Sequence, residues 1–256
     1  MLDHLTPLIL TYNEAPNIAR TLDSLHWASE IVVVDSFSTD NTAAIAASFP
    51  NVRVVQRAFD CHRNQWGFGL KNTGISTEWV LALDADYVVT TELVNELRDL
   101  KPAEETCGYR ARFIYCISGK RLHSGIYPPV TVLYRRASAN YIQDGHTQRV
   151  SINGRIDELQ APMLHDDRKP LRRWFESQKR YTKLEAQKLR DANPAELNYV
   201  DRMRRWPLIV PPLALFYCLV VRAGIFDGWA GIYYAFQRTT AELMLSLYLI
   251  ENRRSN

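Results

Sequence analysis

A chain of 256 residues that is 46% hydrophobic and 23% charged is long enough for one large α/β domain with an added C-terminal module. Its net charge of +3 is too small to drive nucleic acid binding. Four scattered cysteines (Cys61, Cys107, Cys116 and Cys218) exclude paired zinc spacings and a disulfide framework, as expected in a reducing compartment. The first residues show no secretory pattern, because Asp3 and His4 come at once and the apolar stretch 8–10 is short, so a cytoplasmic location is expected.

The first hundred residues alternate strand and helix signals. Residues 8–12 form an apolar run that is broken at Asn13 or Glu14, and Pro16 suits the first turn of a helix over 17–26. Ile31-Val-Val-Val34 is β-branched, like a strand covered on both faces. Ser38 or Thr39 can cap a helix over 41–48. Strands at 52–55 and 79–83 follow, with a helix over 62–74 between them, and Thr90 or Thr91 caps a helix over 92–100. This order predicts βαβ units and a parallel sheet. Short strands at 109–114, 130–134 and 149–152 come next, separated by Gly and Pro turns.

After Pro170 the pattern turns helical. Leu171, Trp174, Phe175, Tyr181 and Leu189 share a stripe, and Arg172, Arg173, Lys179, Arg180, Lys183 and Arg190 lie opposite, until Pro194 ends the helix. A last helix is predicted over 232–250. The expected organisation is a catalytic domain over 1–168 and a helical, basic and aromatic region over 169–256.

Three segments each follow a predicted strand: Thr11-Tyr12-Asn13-Glu14, Asp35-Ser-Phe-Ser-Thr-Asp40 and Asp84-Ala-Asp86. Open parallel sheets bind ligands beyond the carboxyl ends of their strands. Acidic groups gathered there can accept hydrogen bonds from ribose and base and can hold a hard cation such as Mg²⁺ or Mn²⁺ together with phosphate oxygens. Such a cation neutralises charge on a departing nucleoside diphosphate.

These segments resemble the family 2 glycosyltransferases with the GT-A fold, over residues 8 to about 100. The resemblance implies an α/β GT-A sheet flanked by helices and a nucleotide-diphosphate sugar donor, with UDP the family's usual nucleotide. It places Thr11 and Tyr12 in the donor site, Glu14 and Asp35 at the nucleoside, Asp84 near ribose and phosphate, and Asp86 on the metal. The stretch 63–72 is similar to the family's helix beside the donor pocket, which implies that Lys71 and Asn72 face the nucleotide.

The later chain is similar to the lipopolysaccharide-core branch, where a His-Glu pair follows an aromatic-rich strand and a further His closes the site. Here the run is Asp144-Gly-His-Thr-Gln-Arg149, and Gln148 stands where Glu is expected. Glutamine takes no proton, so the general base falls to Asp144, with His146 as the second candidate, in an inverting displacement. His165 matches the closing His and would complete the metal shell or clamp the diphosphate. Arg168 and Lys169 either pair with phosphate or form a solvated pair.

The apolar run 207–221 carries three prolines and is shorter than the ~20 residues of a spanning helix, which suits an interfacial, re-entrant or buried segment. With the basic cluster beside Trp206, it suggests peripheral contact with the cytoplasmic face of a membrane and a glycan or lipid-linked acceptor of cell-envelope synthesis. Core packing or a dimer interface could use the same residues. Two other functions are weighed against transfer. A nucleotidyltransferase would need a glycine-rich first loop, which Thr11-Tyr-Asn-Glu-Ala-Pro16 lacks; a non-catalytic scaffold would be compatible with Gln148.

Overall fold

The computed structural model describes the chain except for residues 145–146, 194, 196 and 255–256, and describes only the backbone of 143–144, 147–148 and 252–254. It divides into two compact units: Met1–Ser118 with Tyr127–Arg168, and Gly119–Ile126 with Lys169–Asn256.

The first unit begins with β1 (Leu5–Thr11), α1 (Ile18–Asp23), β2 (Ile31–Asp35), α2 (Thr42–Ala47), β3 (Val52–Gln56), α3 (His62–Asn72) and β4 (Trp79–Asp84). It continues with β5 (Tyr87–Val89), α4 (Thr91–Asp99), β6 (Thr106–Ala111) and β7 (Phe113–Ile117). After β8 (Lys120–Arg121), which belongs to the second unit, come β9 (Val130–Arg135), β10 (Ala139–Asp144), β11 (Thr147–Ile152), β12 (Arg155–Glu158) and β13 (Met163–His165).

A seven-stranded sheet has the order β12-β6-β9-β4-β1-β2-β3. The β4, β1, β2 and β3 strands are parallel, and β9 runs antiparallel to both β4 and β6. Every residue of β2 is buried. Alternation explains how: Ile31 and Val33 join one core with Leu5, Ile9, Leu22, Leu83 and Leu93, while Val32 and Val34 join the other with Leu8, Trp66, Leu70 and Tyr134. Each such buried aliphatic side chain contributes about 1.5–3 kcal/mol. The α3 helix lies so close to β1 that a Cβ on Gly69 would sit 2.9 Å from Leu8 Cδ2.

Thr90 caps α4 as expected, its hydroxyl accepting from Leu93 N at 3.2 Å. Ser38 and Thr39 do not cap α2; Asp40 accepts from Thr42 N at 3.1 Å instead. The β10–β11 hairpin, of which only the second strand was expected, is anchored by Tyr141, whose ring stacks on Trp66 and whose hydroxyl meets that of Tyr134 at 2.8 Å.

The second unit adds α5 (Leu171–Asp191), α6 (Tyr199–Arg204), α7 (Val210–Phe216), which runs into a π-helical turn over Tyr217–Val221, and α8 (Trp229–Arg254). The buried face of α5 is Thr182, Glu185, Ala186 and Leu189, packed through Ala186 and Leu189 on Leu197, Leu245 and Leu249. This corrects the predicted stripe, because Leu171 and Phe175 are exposed. Arg204 joins Glu242 at 2.7 Å and Asp201 at 3.4 Å, so charges buried between helices are paired.

Residues 119–126 group with the second unit rather than the first, and the Asp227 carboxylate shows one cause. It accepts from His123 N (3.2 Å), His123 Nδ1 (2.9 Å), Ser124 N (2.9 Å) and Ser124 Oγ (2.6 Å). Burial alone would raise its pKa, yet the bonds from Ser124 and His123 hold it well below the usual carboxylate range. A depressed pKa adds stability that is complete above the unfolded value of about 4 and is lost as pH falls through the folded value. The expected outcome is that wild type out-melts Asp227→Asn at neutral pH and that the gap narrows in thermal melts below about pH 4.

Candidate active site

Three loops leave the carboxyl ends of β1, β2 and β4, which are adjacent in the sheet. The β1 loop is held against the β2 loop. Asn13, with a left-handed φ of 57°, accepts at Oδ1 from Thr39 N (2.7 Å) and donates its own N–H to Ser38 Oγ (2.8 Å). Glu14 N donates to Thr42 Oγ1 at 2.7 Å. Asparagine tolerates that backbone region better than most residues.

Asp35 is fully buried, and its carboxylate accepts from Ser38 N (3.0 Å), Ser38 Oγ and Gln56 Nε2 (3.2 Å). Here it shapes the β2 loop. That loop turns Phe37 outward at φ 57°, 53% exposed, while Tyr12 from the β1 loop is 52% exposed. A bulky residue in that backbone region is strained, and strain of this kind clusters at ligand sites. Thr11 lies beneath, buried; its Oγ1 has no hydrogen-bond partner among the described residues.

The hub of the site is Asn17, fully buried at the start of α1. Its Nδ2 donates to Glu14 Oε2 (2.8 Å) and Asp167 Oδ1 (2.9 Å), and its Oδ1 accepts from Arg20 Nη2 (2.9 Å) and Arg168 N (2.9 Å). Arg168 in turn donates from Nε to Asp166 Oδ2 at 2.9 Å, and Arg20 Nη2 donates to Asp166 O at 2.8 Å. Two guanidinium groups are thus oriented at one edge of the acidic loops. Burial first, then the neighbouring Arg168 charge, lower the pKa of Arg20.

The Asp84-Ala-Asp86 segment is tied down on both sides. Thr21 Oγ1 donates to Ala85 O at 2.7 Å and Asp166 N to Asp86 O at 3.0 Å. The antiparallel pairing of β5 with β13 sets His165 opposite Tyr87, which brings His165 Nε2 to 3.2 Å from Asp86 Oδ2. Tyr87, Tyr115 and Tyr127 stand edge-on around the imidazole, with centroids 5.4, 4.8 and 4.8 Å away.

Burial alone would push the His165 pKa down. The charge of Asp86 and its hydrogen bond, with Asp84 and Asp167 behind it, outweigh this and raise it. Burial and the Asp84 charge also hold the phenols of Tyr87 and Tyr127 above their ordinary range, so both stay protonated donors. The pocket therefore favours positive charge.

Asp86 and His165 are the candidate cation ligands. Among the described residues no three His, Cys, Asp or Glu side chains converge into a metal cage. Asp86 and His165 nonetheless form a close, largely buried pair, and His165 Nδ1 is buried with no hydrogen-bond partner among the described residues. A divalent cation there would take one carboxylate and one imidazole from the protein and its other ligands from phosphate and water.

Lys71 and Asn72 do not belong with this group. Both are exposed at the last turn of α3. Thr73 O beside them accepts from Arg53 Nη1, and Arg53 is paired with Val32, near the amino end of β2. The expectation that they face the nucleotide is corrected: a crossover helix runs back from the carboxyl ends, so its first turn faces the site. There Gln65 Nε2 donates to Ser36 Oγ at 3.0 Å. The side chain of Asp144, His146, and the side chain of Gln148 lie outside the described residues. Asn17, Arg20, Phe37, Gln65, Asp166 and Asp167 were not singled out by sequence reading, although Phe37 lies inside Asp35–Asp40 and Gln65 inside the stretch 63–72.

The family model Glycosyl transferase family 2 matches residues 8–156, more than half of the chain. The chain belongs to that family. Among its relatives, lipopolysaccharide core biosynthesis glycosyltransferase LpsC of Rhizobium meliloti (strain 1021) is 32% identical over 123 residues, 44% of this chain and 43% of that protein. An uncharacterized glycosyltransferase of Rickettsia bellii (strain RML369-C) is 33% identical over 108 residues, 42% of this chain and 36% of its own. The match thus spans under half the length of these curated relatives. S. aureus TarS 1–349 in complex with UDP-GlcNAc aligns with a TM-score of 0.50 at 14% identity, covering 98% of this chain and 92% of that one. At that identity the likeness speaks for the fold, and the GT-A expectation for this family 2 chain holds.

Proposed function

We propose that this family 2 chain transfers a glycosyl group, with inversion, from a nucleotide-diphosphate sugar to a glycan or lipid-linked acceptor of cell-envelope polysaccharide or lipopolysaccharide synthesis. The observation that carries the reading is the convergence of Glu14, Asn17, Asp84, Asp86 and His165 with Arg20 and Arg168 at the carboxyl ends of adjacent parallel strands. The names of LpsC and of succinoglycan biosynthesis protein ExoO support the acceptor class. The UDP-GlcNAc held by a fold neighbour makes UDP the first nucleotide to test.

In this reading the base lies between Tyr12 and Phe37, with Thr11 and Glu14 beneath it accepting from nucleoside donors. Arg168 and Arg20 face the diphosphate as charge-assisted donors. Asp86 and His165 would hold Mg²⁺ or Mn²⁺, which would supply positive charge to offset that on the leaving diphosphate. The acceptor hydroxyl oxygen forms a bond to the anomeric carbon as the carbon–oxygen bond to the diphosphate breaks, and its proton passes to Asp144, or to His146 as the second candidate.

Release of nucleoside diphosphate from a panel of UDP-sugars, with Mn²⁺ and with lipid-linked glycan acceptors, tests the reading. Turnover that needs the metal and is lost in Asp86→Ala supports it; no turnover with any donor, together with no nucleotide binding, contradicts it. Transfer retained in Asp144→Ala would remove Asp144 as base and leave the class standing.

Phe37 gives a separable prediction. Asparagine fits a positive φ, so Phe37→Asn keeps or raises the melting temperature, whereas loss of a stacking face weakens donor binding by about 1–2 kcal/mol, roughly tenfold in KM. Thermal melts and steady-state kinetics check both halves.

A further inference from the structure

Residues 201–242 of the second unit segregate charge from apolar surface in an unusual way. All three of the carboxylates in that stretch are buried: Asp201, Asp227 and Glu242. Asp201 and Glu242 pair with Arg204, and Asp227 is taken by His123 and Ser124. The charged side chains exposed in that stretch are Arg202, Arg205 and Arg222, all cationic.

Between these arginines the surface is apolar. Phe226 is 88% exposed, Leu208 80% and Trp206 65%, and Phe216, Val220 and Trp229 are also exposed. The same elements bury their other face through Val210, Cys218, Ala230 and Tyr234, so the outward side chains are not core residues seen at an edge. The elements are mutually packed: α7 lies on α8, and a Cβ on Gly231 of α8 would collide with Gly224 O. Six large side chains at half exposure or more present roughly 600 Å² of apolar area, at the top of the range for the largest patch on a soluble monomer.

We infer that this surface docks on the headgroup–acyl boundary of an anionic bilayer without crossing it. Tryptophans beside cations on an apolar face are what such a boundary accepts, and exposed carboxylates, which it repels, are missing from this stretch of the described chain. No described helix is long and apolar enough to cross a membrane. Residues 210–221 span only ~18 Å as a helix, against the ~30 Å of the hydrocarbon layer. A second copy fits less well, because a two-fold contact would set the same apolar face and its arginines against themselves. Docking would keep the chain where a lipid-linked acceptor resides, and that consequence alone rests on the proposed transferase activity.

Flotation of the full chain with vesicles tests this. With phosphatidylcholine vesicles containing about a third phosphatidylglycerol, wild type floats, and it floats poorly with phosphatidylcholine alone. Combined Trp206→Ser, Phe226→Ser and Trp229→Ser lowers partitioning at least about tenfold. Arg205→Glu with Arg222→Glu lowers it by about fivefold or more per arginine, and only on anionic vesicles. Brominated acyl chains quench tryptophan fluorescence in wild type, a readout that needs no variant. Hydrolysis of the nucleotide sugar in solution is unchanged in both sets, so an inactive wild type that still floats would sink the transferase reading and leave docking intact. Wild type that neither floats with anionic vesicles nor is quenched overturns the proposal. So does a lipid-free dimer in sedimentation that the triple substitution dissociates.

Discussion

Asp86→Asn is expected to lower metal-dependent release of nucleoside diphosphate about a hundredfold or more, the scale on which removal of one preorganised electrostatic partner acts at a reacting centre. The change keeps the side chain's shape and removes its charge. Asp86 is backed by main-chain bonds at Ala85 O and Asp86 O, which the substitution leaves in place, so the loop itself should persist. What it removes is the nearest countercharge to His165, 3.2 Å away, and with it the first of the influences that raise the imidazole pKa. Single-turnover release measured across Mn²⁺ concentrations is the check. A variant that recovers full rate at high Mn²⁺ has lost only cation affinity, whereas one that stays slow when saturated has lost stabilisation of the departing charge.

Asn17→Ala carries the largest expected cost to stability. Four hydrogen bonds end on this fully buried amide, two of them to carboxylates and one from a guanidinium. Truncation strands charged partners in a tight site, a loss of about 3–5 kcal/mol, or about 10 °C in melting temperature for a unit of this size. Asn17→Asp separates hydrogen bonding from volume. It matches the shape but cannot donate to Glu14 and Asp167, and it adds a third negative charge beside them. It should lose donor affinity as Ala does. If Asn17→Asp binds nucleotide as wild type does, Asn17 is a packing residue and the described hub does not position the donor site.

The parallel half of the fold was legible because local and global signals agree there. The β-branched run 31–34 has a covered face on each side, and Thr90 both fits the cap pattern and makes the cap bond. The Asp84 and Asp86 pair could be read because it directly follows an apolar strand. Illegible parts depend on partners far away in the chain. The short strand Tyr87–Val89 is specified by Met163–His165, more than seventy residues on, and only that pairing delivers His165 to Asp86. The same holds for Asp227, whose reason for burial lies at His123 and Ser124. Lys71 and Asn72 are a different case. The direction of a crossover helix was available from the element order and would have pointed to Gln65 in the first turn instead. Asn17 looked like an ordinary helix start, and nothing local announces that its amide joins Glu14 to Asp167.

The central claim is that the loops beyond β1, β2 and β4 make one nucleotide-diphosphate site completed by a divalent cation at Asp86 and His165. Calorimetric titration of UDP into the full chain, with Mn²⁺ and again with EDTA, tests it most directly. The account predicts binding with Mn²⁺ that weakens at least about tenfold in EDTA and shows no such metal dependence in Asp86→Asn. UDP binding of equal strength with and without the metal in wild type would contradict it.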